Sequence, residues 1–245
     1  MVEMEVAKGA CLQAAKYLLK LRDKKVNFNE GKDIKLQADI ESEKIIINIL
    51  QEKFDYPILT EEMGGIGDIC TNKKRWIVDP IDGTLNFSRD LPICCISIAL
   101  YEGTEPIMGV IYDFNRREMF CGVVGIGAWL NNKPIRLSNI ADRTKAIIAT
   151  GFPVYMEHNE ATLLEFVSFV REFKKVRLLG SAALSLAYVA CGRVDVYYEN
   201  EIKIWDVAAG IAIVKSLGGY VRIDHGKSQY GLNIICSCNT KVTKG

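Results

Sequence analysis

Trp76-Ile77-Val78-Asp79-Pro80-Ile81-Asp82-Gly83-Thr84 carries three kinds of signal in one short stretch. The apolar run Trp76-Ile77-Val78 reads as a buried strand. Pro80 biases the residue before it toward an extended conformation, so Asp79 is expected at the strand's end, pointing out of the sheet. Asp82-Gly83 is a turn signal, and Thr84 can start a helix. Two acids and several backbone N–H groups are thereby gathered at a strand–loop–helix junction. Hard divalent cations prefer carboxylate and carbonyl oxygens, and helix N-termini attract phosphate. A Mg²⁺-dependent phosphate-ester site fits these residues. An ordinary turn fits them too, with one acid as a cap and the other solvated.

The 245 residues allow a substantial core, and a composition of 49% hydrophobic and 25% charged residues is that of a globular protein. A formal net charge of +1 provides no field to gather nucleic acid or an anionic membrane surface. Residues 1–22 have no signal-like apolar core, and runs such as 91–100 are too short to span a bilayer. A soluble, cytoplasmic protein with no membrane partner is expected. The eight cysteines form no C-x-x-C pair and lie mostly in apolar surroundings, as buried free thiols do in a reducing compartment. With two histidines and no G-x-S-x-G element, a Ser-His-Asp hydrolase has little support. Gly125-Ile126-Gly127 lacks the third glycine of a dinucleotide fingerprint, and the Walker A pattern is absent.

Helical spacing predicts helices over 3–22 and about 39–53, and a strand over 56–60 running into Glu61-Glu62. The strand holding Trp76 is followed by strands predicted at 93–101, 106–114 and 118–124, with turns at Glu102-Gly103 and Asn115-Arg116-Arg117. That spacing suggests an antiparallel meander, with Asn131-Asn132 as a further hairpin turn. The second half alternates: strand 146–150, helix 160–173, strand 176–179, helix 181–191, strand 194–199, helix 206–217, then strands 220–223 and 233–237. Gly218-Gly219 ends the last of these helices. The fold class expected is α/β, a mixed α+β layered sandwich of alternating helix and sheet layers in two lobes. Residues 1–142 would form the lobe with the acidic motifs and the antiparallel sheet, and 143–245 an α/β lobe.

Acids recur at predicted element ends: Asp39, Glu61, Glu62, Asp79, Asp82 and Asp206. Asp39 and Asp206 each fit a first helical turn, where a carboxylate favours the helix dipole. Two carboxylates about 5 Å apart repel by roughly 3 kcal/mol at an effective dielectric of 20. Either these acids are scattered, or they hold metal.

Taken in order, several segments resemble the inositol monophosphatase family of Mg²⁺-dependent, Li⁺-sensitive phosphatases. They are Ala38-Asp39, Leu59-Thr60-Glu61-Glu62, the stretch from Trp76 through Thr84-Leu85-Asn86-Phe87, Gly151-Phe152-Pro153, Gly180-Ser181-Ala182-Ala183-Leu184, and Trp205-Asp206-Val207-Ala208-Ala209-Gly210. The resemblance implies a carbohydrate-phosphatase-like fold and a phosphoric monoester hydrolase with two or three Mg²⁺ per site. Glu61, Asp79 and the Ile81 carbonyl would hold the first ion, and Asp79, Asp82 and Asp206 the second. Glu61 would also bind a weaker third. Thr84 and Asp39 would orient the attacking water, making Asp39, Thr84 and Glu61 the catalytic set. The Gly83-Thr84 backbone would receive phosphate oxygens. Gly180, Ser181, Ala182, Glu199 and Asp206 would face the substrate, a small-molecule phosphate ester.

The substrate implied is inositol monophosphate or a related sugar phosphate, with fructose 1,6-bisphosphate and adenosine 3′,5′-bisphosphate as alternatives. A second phosphate would want cations, for which Arg89, Arg171, Lys174, Arg177 and Lys203 are available. A carboxylate at Glu199 instead favours a neutral polyol. The resemblance also implies a homodimer. Because some bacterial relatives associate with the transcription machinery, a protein-binding role is the non-enzymatic alternative.

Overall fold

The structure is a computed structural model that describes residues 1–21, 26–30, 33–69, 73–152 and 159–243. Cys70, Pro153 and His158 lie outside the described residues. Helix α1 (Val2–Leu18) is followed by a hairpin, β1 (Val26–Glu30) and β2 (Asp33–Leu36), and by helix α2 (Gln37–Lys53). Next come β3 (Ile58–Thr60), β4 (Gly65–Ile66), β5 (Lys74–Asp82) and the short helix α3 (Thr84–Ser88). A meander then runs through β6 (Cys95–Glu102), β7 (Glu105–Asp113), β8 (Glu118–Val123), β9 (Gly127–Leu130) and β10 (Lys133–Pro134). The second half supplies β11 (Ile147–Thr150), α4 (Glu160–Val170), β12 (Lys175–Arg177), α5 (Ala182–Ala190), β13 (Val196–Lys203) and α6 (Ile204–Ser216). It closes with β14 (Tyr220–His225), β15 (Gly231–Ser237) and the short α7 (Thr240–Thr243).

Strands β3 to β10 form one eight-stranded sheet in the order β10-β9-β8-β7-β6-β5-β3-β4, antiparallel except where β3 runs parallel to β5. The other large sheet has the order β12-β11-β13-β15-β14, with β12, β11 and β13 parallel and the rest antiparallel. Helices α1 and α2 cover one face of the eight-stranded sheet, where Ala10, Ala14, Ile46 and Leu50 pack with Trp76, Val78, Ile98 and Val110. Helices α5 and α6 fill the space between the sheets, where Leu186 and Ile213 join Ile77, Ile111, Phe120, Tyr197 and Ile234. Phe166 and Val170 of α4 and Val242 of α7 cover the far face of the second sheet. The result is a five-layer α-β-α-β-α sandwich. Among the described residues no helix is long and apolar enough to cross a membrane.

Strands β5 to β7 lack polar–apolar alternation because both of their faces are covered. Each fully buried Ile or Leu there contributes about 1.5–3 kcal/mol. The layers sit close together. A Cβ on Gly109 of β7 would lie 2.2 Å from the Ala209 carbonyl oxygen of α6. Asn131 and Asn132 take φ of 49° and 63°, as a tight β9–β10 hairpin requires.

Two local expectations need correction. Strand β5 does not end at Asp79 but continues to Asp82, and its pairing with β6 slips between these residues. Pro80 has no N–H to offer the ladder, so the chain bulges there instead of stopping. Strand β13 likewise runs past Glu199 to Lys203, with a slip between Glu199 and Ile202. The β1–β2 hairpin has no counterpart among the predicted elements.

Candidate active site

Four segments bring five acids together at the bulge of β5. Asp39 lies in the first turn of α2, Glu61 follows β3, Asp79 and Asp82 belong to β5, and Asp206 lies in the first turn of α6. Glu61, Asp82, Asp206 and Asp39 are all near enough for their charges to act on Asp79. One carboxylate oxygen from each of Glu61, Asp79 and Asp206 lies within 4.8 Å of the other two. Asp79 is buried; its Oδ1 accepts the Ile81 amide at 3.0 Å. Its Oδ2 is buried and receives no hydrogen bond from an amide or hydroxyl among the described residues, while the Asp206 carboxyl lies close enough to share a proton with Asp79.

Asp82, Asp206 and Asp39 are anchored. The Asp82 carboxylate accepts the Ala182 amide at 3.1 Å, the Ala183 amide at 2.9 Å and the Ser181 hydroxyl at the start of α5, where the helix dipole favours an anion. The Cys95 thiol also points at it, 3.5 Å away. Asp206 Oδ2 accepts the Lys203 amide at 3.1 Å. The Thr84 hydroxyl lies 3.0 Å from Asp39 Oδ1 and 3.0 Å from the Ile81 carbonyl oxygen, within donating distance of both. Gly83 takes φ +89°, and a Cβ there would come within 2.8 Å of the Ile93 carbonyl oxygen, so glycine is required.

Electrostatics follow from this crowding. Burial first, then repulsion by Glu61, Asp82, Asp206 and Asp39, pushes the Asp79 carboxyl well above its ordinary range. Burial and the charge of Asp82 do the same to Asp206. Asp82 is also raised by burial, although hydrogen bonds from Ser181, Ala182 and Ala183 pull against that. Glu199 on β13 is pushed up to about 7, chiefly by burial, with Asp82 adding to it and the Tyr197 hydroxyl opposing. Tyr197 donates to Glu199 Oε2 at 2.8 Å.

Of the residues expected to face substrate, Gly180 is exposed, whereas Ser181 and Ala182 are only 4% and 7% exposed and turn their polar atoms to Asp82. Asn86, to which the sequence assigned no role, holds this segment. Its side-chain amide lies 2.8, 2.9 and 3.2 Å from the carbonyl oxygens of Ile93, Leu179 and Gly180. The buried partners Cys95 and Tyr197 also went unread, since apolar strand context hides a polar contact. Lys203 is engaged with the Ser228 hydroxyl and the Gln229 carbonyl, and Arg89, Arg171, Lys174 and Arg177 are exposed. A cavity of about 580 Å³ beside α4 is lined in part by Phe166, Phe169 and Tyr198, and none of the five acids lines it.

An oxygen-only cluster with an orphaned, buried carboxylate oxygen suits a hard cation, so these residues fit a metal site. Layered fold and acid-lined junction together are those of a phosphoric monoester hydrolase. The chain belongs to the inositol monophosphatase family, whose family model matches residues 2–244. It is similar to the inositol-1-monophosphatase of Synechocystis sp., at 38% identity over 223 residues, 89% of this chain and 77% of that protein. It is also similar to the Nus factor SuhB of Xylella fastidiosa, at 39% over 222 residues, 90% of this chain and 80% of the relative. Among solved structures, the extragenic suppressor protein suhB from Bartonella henselae matches with a TM-score of 0.87 at 34% identity, covering 99% of this chain and 95% of that one. Inositol monophosphatase from Anabaena (Nostoc) sp. matches with a TM-score of 0.84 at 33% identity, covering 98% and 92%.

Proposed function

We propose that the chain hydrolyses inositol monophosphate or a related sugar phosphate in a Mg²⁺-dependent reaction. The observation that carries this is the approach of Glu61, Asp79 and Asp206 within 4.8 Å around an unsatisfied Asp79 oxygen. Without a counter-ion each close pair of ionised carboxylates costs roughly 3 kcal/mol at an effective dielectric of 20. Glu61, Asp79 and the Ile81 carbonyl would hold one ion, Asp79, Asp82 and Asp206 a second, and Glu61 a weaker third. When bound, Mg²⁺ supplies Lewis acidity, which makes water more acidic and offsets phosphoryl charge.

The chain's own groups then handle the proton and the geometry. Asp39 is the base that receives the proton of the attacking water through the Thr84 hydroxyl, which already reaches it at 3.0 Å. Gly83 and Thr84 amides orient the phosphate, and water displaces the alkoxide directly, with no phosphorylated residue; the alkoxide takes up a proton from solvent to leave as the alcohol, and Asp39 returns its proton to solvent. Gly180 and Glu199 meet the polyol, Glu199 accepting hydrogen bonds from its hydroxyls. Ser181 and Ala182 act there chiefly by fixing Asp82. The engagement of Lys203 and the carboxylate of Glu199 favour a monoester over a bisphosphate.

Phosphate release from myo-inositol 1-phosphate, fructose 1,6-bisphosphate and adenosine 3′,5′-bisphosphate, with Mg²⁺ or EDTA, tests the reading. Turnover of the first only with Mg²⁺ is expected, and preference for a bisphosphate would overturn the substrate class. No release from any substrate would favour the second reading, a protein-binding role, which the Nus factor name of the Xylella relative brings forward. The seven described cysteines are free, which supports a cytoplasmic setting. A homodimer rests on the resemblance alone, and sedimentation would test it.

A further inference from the structure

Helix α2 carries more of the site than Asp39. Ser42 and Glu43 follow it by three and four residues, so they share its side of the helix, and both are fully buried. The Ser42 hydroxyl donates to the Pro80 carbonyl at 3.1 Å, inside the bulge that separates Asp79 from Asp82. Glu43 Oε1 accepts the Glu62 amide at 3.2 Å and the Met63 amide at 3.4 Å, immediately after Glu61, the Met63 amide being shared with the Thr60 hydroxyl at 3.3 Å. Its other oxygen, Oε2, is buried and accepts no well-formed hydrogen bond among the described residues, although the nearby Thr60 hydroxyl favours the charged carboxylate. A buried carboxylate with an idle oxygen is costly, and an apolar side chain there would pack at lower cost.

We propose that Glu43 is a positioning residue, and α2 a jig that sets Glu61 and the Asp79–Asp82 bulge in register with Asp39. Through the 62 and 63 amides, Glu43 fixes the backbone that aims the Glu61 carboxylate at Asp79 and Asp206. Ser42 fixes the bulge from the same helix face. One rigid element thereby references three of the four segments that build the site. This rests on the metal reading given above.

Isothermal titration of Mg²⁺ into metal-free protein, with no substrate present, is the test. Glu43→Gln keeps an acceptor for both amides and should bind Mg²⁺ within about 3-fold of wild type. Glu43→Leu removes the acceptor and should weaken binding by about 10-fold or more, as loss of an outer-shell partner does. Wild-type affinity in Glu43→Leu would overturn the positioning role and leave the metal reading standing. Equal losses in both variants would make the charge, and not the positioning, responsible, and would also overturn it. A wild-type protein that binds no Mg²⁺ would overturn the metal reading itself. Should Glu43→Leu not fold, amide exchange in metal-free wild type decides. The 62 amide, which Glu43 holds, should be protected, and its exchange at free-loop rates would sink the proposal.

Discussion

Asp79 meets two opposed demands. To attract a cation it must be ionised, yet burial and four neighbouring carboxylates hold its proton on. In the metal-free protein the folded state therefore keeps a proton that the unfolded chain releases near pH 4. The folded pKa is raised, so this group's stabilising contribution is full below the unfolded value and is lost as pH rises through the folded one. Asp79→Asn removes that loss. In EDTA, the melting temperature of Asp79→Asn relative to wild type should rise between pH 5 and pH 8. A gap that stays constant with pH would contradict the assigned repulsion. The same substitution should lower Mg²⁺-dependent turnover by roughly a thousandfold, the scale of losing a main electrostatic group. Activity within a few-fold of wild type in a phosphate-release assay would remove Asp79 from the metal set. Glu199, pushed up to about 7, titrates in the same sense, and its substitution by Gln should flatten metal-free stability between pH 5 and pH 7.

Strands and helices differ in how openly they announce themselves. The predicted strand over 106–114 lies at Glu105–Asp113, and the predicted helix over 206–217 at Ile204–Ser216, because long apolar runs and glycine caps are local signals. The continuation of β5 through Asp79-Pro80-Ile81-Asp82 was hidden, since proline signals an end to pairing and only the bulge shows how the ladder steps around it. The short β4 and β10 have too few residues to show any period. At the site, the acids are legible from their places at element ends and their roles from the resemblance, whereas their spacing and the supports from Glu43, Asn86 and Ser181 depend on contacts between segments far apart in the chain. Helix α6 adds a further case: its closeness to β7 turns on Gly109, which in the sequence is one glycine among 20. Gly109→Ala would drive a methyl into the Ala209 carbonyl. We expect a loss of about 3 kcal/mol, measured as a fall of roughly 6–12 °C in melting temperature. A fall under 1 °C would mean that the layers separate freely.

The three clustered acids come from two layers: Asp79 from the eight-stranded sheet, with Glu61 directly after its strand β3, and Asp206 from the helix layer between the sheets. An ion held by all three ties those two layers in the native state only. One Mg²⁺ site at a hundredfold excess over its Kd should add about 2.7 kcal/mol, a rise of roughly 5–11 °C for a chain of this size. Thermal unfolding with MgCl₂, against NaCl of equal ionic strength, would measure it, and identical curves would argue against a folded-state metal. The sheets themselves end in short or charged strands. Gly65–Ile66 and Lys133–Pro134 border one, and Lys175–Arg177 and the Arg222- and Asp224-bearing β14 border the other. Such borders give another polypeptide little to zip onto. The seven-residue run from Cys94 to Leu100, a stretch of the kind that forms fibrils, is sealed at the centre of its sheet. Self-association through strands is therefore a hazard of synthesis and refolding, confined to the interval before the meander closes over that run.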